Sequence, residues 1–154
     1  MGLLHLLRQR LSDSLAHHPP HVEDAELGPL EQIAEGLWRT LEPVVLLPEE
    51  DPVYITIEGD GAGPAKDLRE ALGELQLRYG ELRPAVEPLL RTADMHSGRE
   101  TLRPRATLVS VELYHHPVER HAVMSLNYAL ADAPEYTFVV RVEGWKAVDV
   151  LVAG

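Results

Sequence analysis

The sequence predicts an α+β fold in which a largely antiparallel sheet of about five strands is covered on one face by helices. Three observations support that prediction. The last third of the chain alternates apolar and polar residues with the period of two that is typical of half-buried strands. Residues 29–41 and 65–94 instead space their apolar side chains at helical intervals. The 154 residues are 45% apolar and 25% charged, which suits one soluble globular domain.

The chain begins with a leucine-rich segment. Leucines at positions 3, 4, 7, 11 and 15 recur at helical spacing, which predicts an amphipathic helix over residues 1–18 that ends before Pro19 and Pro20. We separate this helix from a single α+β domain over residues 22–154. Its leucine stripe would pack either on that domain or on a second copy of the chain, and the second arrangement would make a homodimer.

A helix and a strand are predicted next. Gly28 and Pro29 form a helix-start signal, and an apolar stripe follows them, so we expect a helix over residues 29–41. The stripe comprises Leu30, Ile33, Ala34, Leu37, Trp38 and Leu41. Residues 53–58 alternate β-branched and polar side chains, which predicts a strand that pairs with the C-terminal strands.

The loop over residues 59–64 is rich in glycine and stands between a predicted strand and a predicted helix, which is the context of phosphate-binding loops. Its residues do not match those motifs. Pro64 stands where the Walker pattern requires glycine, and Asp60 would bring negative charge to the phosphate. We therefore predict a plain turn that leads into helices over residues 65–94, arranged as a hairpin around Gly80.

The C-terminal third predicts a four-stranded antiparallel meander. The alternating stretches cover residues 107–114, 122–130, 136–142 and 148–152, and turn residues separate them. In the first stretch Val109, Val111 and Leu113 are expected to face the core. Gly144 is expected at the centre of the last turn, because glycine takes positive φ without strain.

The net charge of −11 is concentrated in the middle of the chain. Between His21 and Pro88 there are sixteen acidic and five basic residues, whereas the remainder is balanced. This distribution disfavours nucleic acid as a partner and favours a basic protein. Alternatively, the acidity only keeps the protein dispersed. As partner-binding residues we select the loop and turn candidates Glu49, Glu50, Asp51, Asp60 and Trp145; the alternative for Trp145 is that it covers the edge of the sheet.

Two groups of histidines are the candidates for metal chemistry. The first contains His17, His18 and His21, and the second contains His115, His116 and His121. Three converging imidazoles can hold zinc with one position open, so the second group is the candidate metal site of a small hydrolase. The alternative is that these are solvated loop side chains. With no cysteine, thiolate sites are excluded, and no catalytic residue or cofactor is predicted.

The C-terminal segments Tyr136-Thr137-Phe138-Val139-Val140 and Glu143-Gly144-Trp145-Lys146 resemble those of small uncharacterised bacterial α+β domains, including immunity-type proteins that inhibit basic toxins. The resemblance covers roughly a third of the chain and carries over no catalytic residue. It implies a binding role, which agrees with the acidic middle of the chain.

These observations lead to one leading functional hypothesis and two alternatives. The leading hypothesis is a non-enzymatic interaction protein whose acidic surface binds a basic protein. The alternatives are a metal-dependent hydrolase that uses a histidine cluster, and an oligomerisation module that works through the N-terminal helix. The sequence has no apolar run of about 18 residues and no recognisable secretory signal, so we expect no membrane partner and a cytoplasmic protein.

Overall fold

The fold was analysed in a computed structural model, which describes residues 19–48, 50–96, 106–130 and 133–153. The helix predicted for residues 1–18 lies outside this part of the chain, as does Glu49. The described residues include no helix whose length and apolar content would let it span a bilayer.

Nine strands form one mixed sheet, and one long helix, α1 (Lys66–His96), is the only helix among the described residues. The sheet order is β1-β2-β3-β4-β6-β7-β8-β9, and the short β5 pairs with β4. All neighbours are antiparallel except β4 and β6, which are parallel. The strands are β1 (His21–Asp24), β2 (Gly28–Ala34), β3 (Leu37–Thr40), β4 (Tyr54–Asp60), β5 (Gly63–Pro64), β6 (Thr107–His115), β7 (Ala122–Leu130), β8 (Ala133–Glu143) and β9 (Lys146–Ala153).

The predicted fold class is therefore wrong in two respects. The sheet has nine strands rather than about five, and one helix rather than several covers it. Residues 29–41 account for much of the difference, because they form the hairpin β2–β3 instead of a helix. Gly36 turns this hairpin with a φ of 70°, a value that glycine adopts without strain. The alternating burial of Trp38 and Thr40, with Arg39 exposed between them, is the strand period.

The helical hairpin predicted around Gly80 is also wrong, since α1 runs unbroken through Gly80, Pro84 and Pro88. Each proline removes one backbone donor and leaves the carbonyl four residues earlier without its helical partner. Both prolines are exposed and lie four residues apart, on one side of the helix, so water can reach the carbonyls that they leave unpaired. Exposure explains why a sequence with two helix breakers still forms one helix.

The predicted C-terminal meander is confirmed as β6–β9, and the predicted strand over residues 53–58 is confirmed as β4, which pairs with β6. One register detail differs. A bulge between Leu108 and Ser110 reverses the alternation at the start of β6, so Leu108 is buried whereas Val109 is 40% exposed. From Val111 onward the predicted inward face is correct.

The core lies between α1 and the sheet. Apolar side chains of the helix, spaced three or four residues apart, pack against the inward residues of β4 and β6–β9. Tyr79 of α1 and Tyr128 of β7 join the two layers through a hydroxyl pair 2.6 Å apart. Burial raises the pKa of both phenols, so neither ionises near neutral pH.

A salt bridge attaches the N-terminal hairpin to the start of the helix. The Asp24 carboxylate lies 2.7 Å from the Arg69 guanidinium and is only 5% exposed. It also accepts hydrogen bonds from the amides of Glu26 and Leu27, which hold the β1–β2 turn. Burial opposes ionisation of Asp24, but these two amides and Arg69 outweigh it and lower its pKa.

Candidate functional site

The loop between β6 and β7 forms a closed six-residue turn that brings its two ends together. The amide of His116 donates to the carbonyl of His121 at 2.8 Å, and the amide of Arg120 donates to the carbonyl of His116 at 3.0 Å. Arg120 closes the loop with a φ of 63°, in the left-handed region. Since His116 and His121 flank this turn, the backbone holds both imidazoles at one end of the sheet.

Within this loop, His116, Glu119 and His121 form a cluster of potential metal ligands. One ligand atom from each side chain lies within 4.8 Å of the others. The two imidazole rings lie nearly parallel, with centroids 4.9 Å apart and planes inclined by 15°. Glu119 Oε2 lies 3.4 Å from Nδ1 of His121. Two nitrogens and a carboxylate oxygen are a donor set that suits zinc.

Glu143, at the end of β8, extends this cluster. Its Oε1 accepts a hydrogen bond from Nε2 of His121 at 2.8 Å. The bond from His121 holds the pKa of Glu143 below its usual value, and the nearby Arg141 guanidinium acts in the same direction. Glu143 reaches the loop because β8 pairs with β7 so that Glu143 lies opposite Val123.

A shallow depression of about 230 Å³ adjoins the cluster. His116 and Glu143 form part of its wall, and Arg141 lines it from β8. The Arg141 guanidinium binds Asp149 at 2.6 Å through Nη2, while its buried Nε has no hydrogen-bond partner among the described residues. The remaining lining residues are Tyr114, Pro117 and Val123.

His115, the third histidine of the predicted group, does not join the cluster. Its ring contacts Glu58 at 3.1 Å through Nδ1 and Asp67 at 2.7 Å through Nε2. Burial opposes protonation, but the two carboxylates outweigh it and raise the pKa of His115. His115 thus bridges the end of β4 and the first turn of α1. The structure brings together His116 and His121 of the predicted triple and adds Glu119; whether a metal binds there stays a prediction.

The structure places the predicted partner-binding residues at separate points. Glu50 is mostly buried and pairs with Arg83 at 3.3 Å, whereas Asp51 is exposed. Asp60 accepts a hydrogen bond from the amide of Ala62 at 2.8 Å. Trp145, in the β8–β9 turn, packs against the core beneath the Arg78 guanidinium, which lies 4.6 Å from the ring centroid. These residues do not form a single cluster in the described contacts.

The acidic charge itself is more localised than the sequence reasoning indicated. Residues 19–60, which we call the acidic region, contain eleven carboxylates and one basic residue, Arg39. Helix α1 contains six acidic and five basic residues and pairs several of them along its length. The negative charge therefore belongs to the first four strands and their loops, and not to the helix.

Most carboxylates of the acidic region lack an ionic partner among the residues that the structure describes. The exceptions include Asp24, Glu50 and Glu58, which contact Arg69, Arg83 and His115. Seven carboxylates form no ion pair with another described residue: Glu23, Glu26, Glu31, Glu35, Glu42, Asp51 and Asp60. Glu31 is partly buried and the other six are exposed, so their charge acts on the surrounding solvent.

Sequence reasoning missed Glu119, Glu143 and Arg141. Glu119 stands between the two histidines and could have been found from the tightness of the loop. Glu143 lies 22 residues from His121, and only the β7–β8 register reveals their contact. Comparison with known proteins adds no further guide, because no family model, curated protein or solved structure matches the chain.

Proposed function

We propose that the protein is a non-enzymatic binding module that holds a basic protein partner against the acidic region. The observation that carries the proposal is the seven carboxylates of that region that have no ionic partner among the described residues. A field of one sign attracts an oppositely charged protein over about 10 Å at ordinary ionic strength, and it accelerates the encounter. Inhibition of a basic toxin, as in immunity-type proteins, is the narrower form of this proposal.

The residues expected to contact the partner differ from those selected on sequence. Arg83 partly neutralises the charge of Glu50, and Asp60 already uses one carboxylate oxygen to accept the hydrogen bond from the amide of Ala62. Glu31, Glu35 and Glu42 keep their charge available, and they lie on β2, in the β2–β3 turn and just after β3. Asp51 remains a candidate because it is exposed and unpaired among the described residues.

Two triple variants with equal net charge test the proposal. The first changes Glu31, Glu35 and Glu42 to Gln. The control changes Glu74, Glu81 and Glu87 to Gln on α1, where each carboxylate is exposed and pairs with an arginine of the same helix. Immobilised wild-type protein should capture a basic protein that high salt releases, and mass spectrometry then identifies that protein.

With the purified partner, the first variant should bind at least tenfold more weakly than wild type, since each rim charge contributes about 0.5 kcal/mol or more to the encounter. The helix control should stay close to wild type. Equal losses in both variants would show that only total charge matters. Binding that salt does not weaken would refute an electrostatic interface.

A further inference from the structure

We propose that His116, Glu119 and His121 form a zinc-binding site, with Glu143 as the carboxylate that orients His121. This site is independent of the acidic region and of the proposed binding function. The three side chains approach one another within 4.8 Å in a loop that two backbone hydrogen bonds close. Because the three residues are close in sequence and their backbone is already fixed, metal binding should cost little conformational entropy.

The hydrogen bond between His121 and Glu143 determines which ring nitrogen of His121 is free. An ionised carboxylate can only accept, so Nε2 of His121 carries the hydrogen that it donates to Glu143. In the neutral ring Nδ1 is then a bare acceptor, and it faces another acceptor, Glu119 Oε2, at 3.4 Å. A cation between these two atoms removes the conflict, and histidine–carboxylate pairs of this kind orient many zinc ligands.

His116 would have to give up two hydrogen bonds to act as a metal ligand. Its Nδ1 accepts hydrogen bonds from the amides of Val118 at 3.3 Å and Glu119 at 3.0 Å. Binding of a metal to this ring replaces those two weak contacts. We therefore expect micromolar affinity, weaker than that of zinc sites whose binding energy drives folding.

The chemistry of the donors selects the metal. Two imidazole nitrogens and one carboxylate oxygen match the three protein ligands of many zinc sites, in which a water or an anion takes the fourth position. Magnesium and calcium prefer all-oxygen sites and should not bind here. His116 and Glu143 also line the neighbouring depression, which would leave room for a water or a small ligand beside the metal.

Calorimetric titration of the metal-stripped full chain with zinc chloride tests the site. One zinc ion should bind per chain, and magnesium should give no heat. His116→Ala and His121→Ala should each weaken zinc binding at least tenfold, and Glu143→Gln about tenfold, as outer carboxylates do. The matched controls are His115→Gln and His21→Ala, which should bind zinc as wild type does.

Two results would overturn the assignment. The first is the absence of zinc binding to wild type, which would mean that the three side chains do not form a metal site. The second is binding that survives in the His116→Ala/His121→Ala double variant, which would place the metal on other histidines. A measurement on wild type does not depend on whether the variants fold. Zinc should shift the ring NMR signals of His116 and His121 and leave those of His115 unchanged.

Discussion

At the scale of single residues, Asp24 is a carboxylate that the fold keeps almost entirely away from water. It is a nearly buried carboxylate with a guanidinium and two amides around it. Removal of one member of such a buried ion pair lowers the free energy of unfolding. The loss is reduced here because Arg69 is 42% exposed and water can solvate its charge. Asp24→Asn should therefore lower the free energy of unfolding by about 2 kcal/mol at neutral pH.

The contribution of Asp24 should depend on pH in a defined direction. Its pKa in the folded state is lowered, so folding favours the ionised form. The stabilisation is complete above the unfolded pKa of about 3.9 and is lost as the pH falls through the lower folded pKa. Urea titrations of wild type and Asp24→Asn should differ most above about pH 5 and converge under more acidic conditions.

The matched control for Asp24→Asn is Glu23→Gln. Glu23 is the exposed neighbour of Asp24 and forms no ion pair with another described residue. The substitution should change stability by less than about 0.5 kcal/mol at any pH. A stability difference between wild type and Asp24→Asn that stayed constant down to pH 2 would mean that the ion pair is not the source of the effect.

At the scale of elements, the β2–β3 turn decides the fold of a segment whose apolar spacing also fits a helix. Gly36 has a φ of 70°, and a Cβ placed there would approach the carbonyl oxygen of Gly59 to 2.9 Å. Gly36→Ala should therefore cost about 1–2 kcal/mol, since the left-handed conformation disfavours a side chain even before the contact is counted.

Replacement of a second glycine, Gly73, should change stability in the opposite direction. Gly73 lies inside α1, and a Cβ placed there would meet nothing within 4 Å. Gly73→Ala should raise the free energy of unfolding by about 0.5–1 kcal/mol, because alanine loses less backbone freedom in a helix. Thermal unfolding of the two variants should give midpoints on either side of wild type. A stabilising Gly36→Ala would contradict the hairpin.

At the scale of the whole molecule, the sequence predicted the elements whose pattern has a single explanation. Strict alternation in β6–β9 permits only strands, and all four were correctly predicted. The stripe from Leu30 to Leu41 has helical spacing, but the chain turns at Gly36 and forms two strands that leave Ile33 and Leu41 exposed. The prolines of α1 predict a break in the helix. The helix accommodates them because both are exposed, and that exposure depends on the folded structure and cannot be read from the sequence.

The candidate sites divide in the same way. Clustering along the chain correctly drew attention to His116 and His121, because a six-residue loop keeps its ends close. It could not separate them from His115, whose side chain turns to Glu58 and Asp67 on distant elements. The acidic segment was recognised from composition, yet only the fold shows that α1 neutralises its own carboxylates while the first four strands do not.

We propose that the unpaired carboxylates of the acidic region, rather than the net charge of the chain, govern association with a basic partner. The most direct measurement is the association rate constant on a poly-L-lysine sensor as ionic strength increases, for wild type and the two triple variants. We predict a steep decline for wild type and the helix variant, and a slower, flatter response when Glu31, Glu35 and Glu42 are Gln. Superimposable curves for the two variants would contradict the claim.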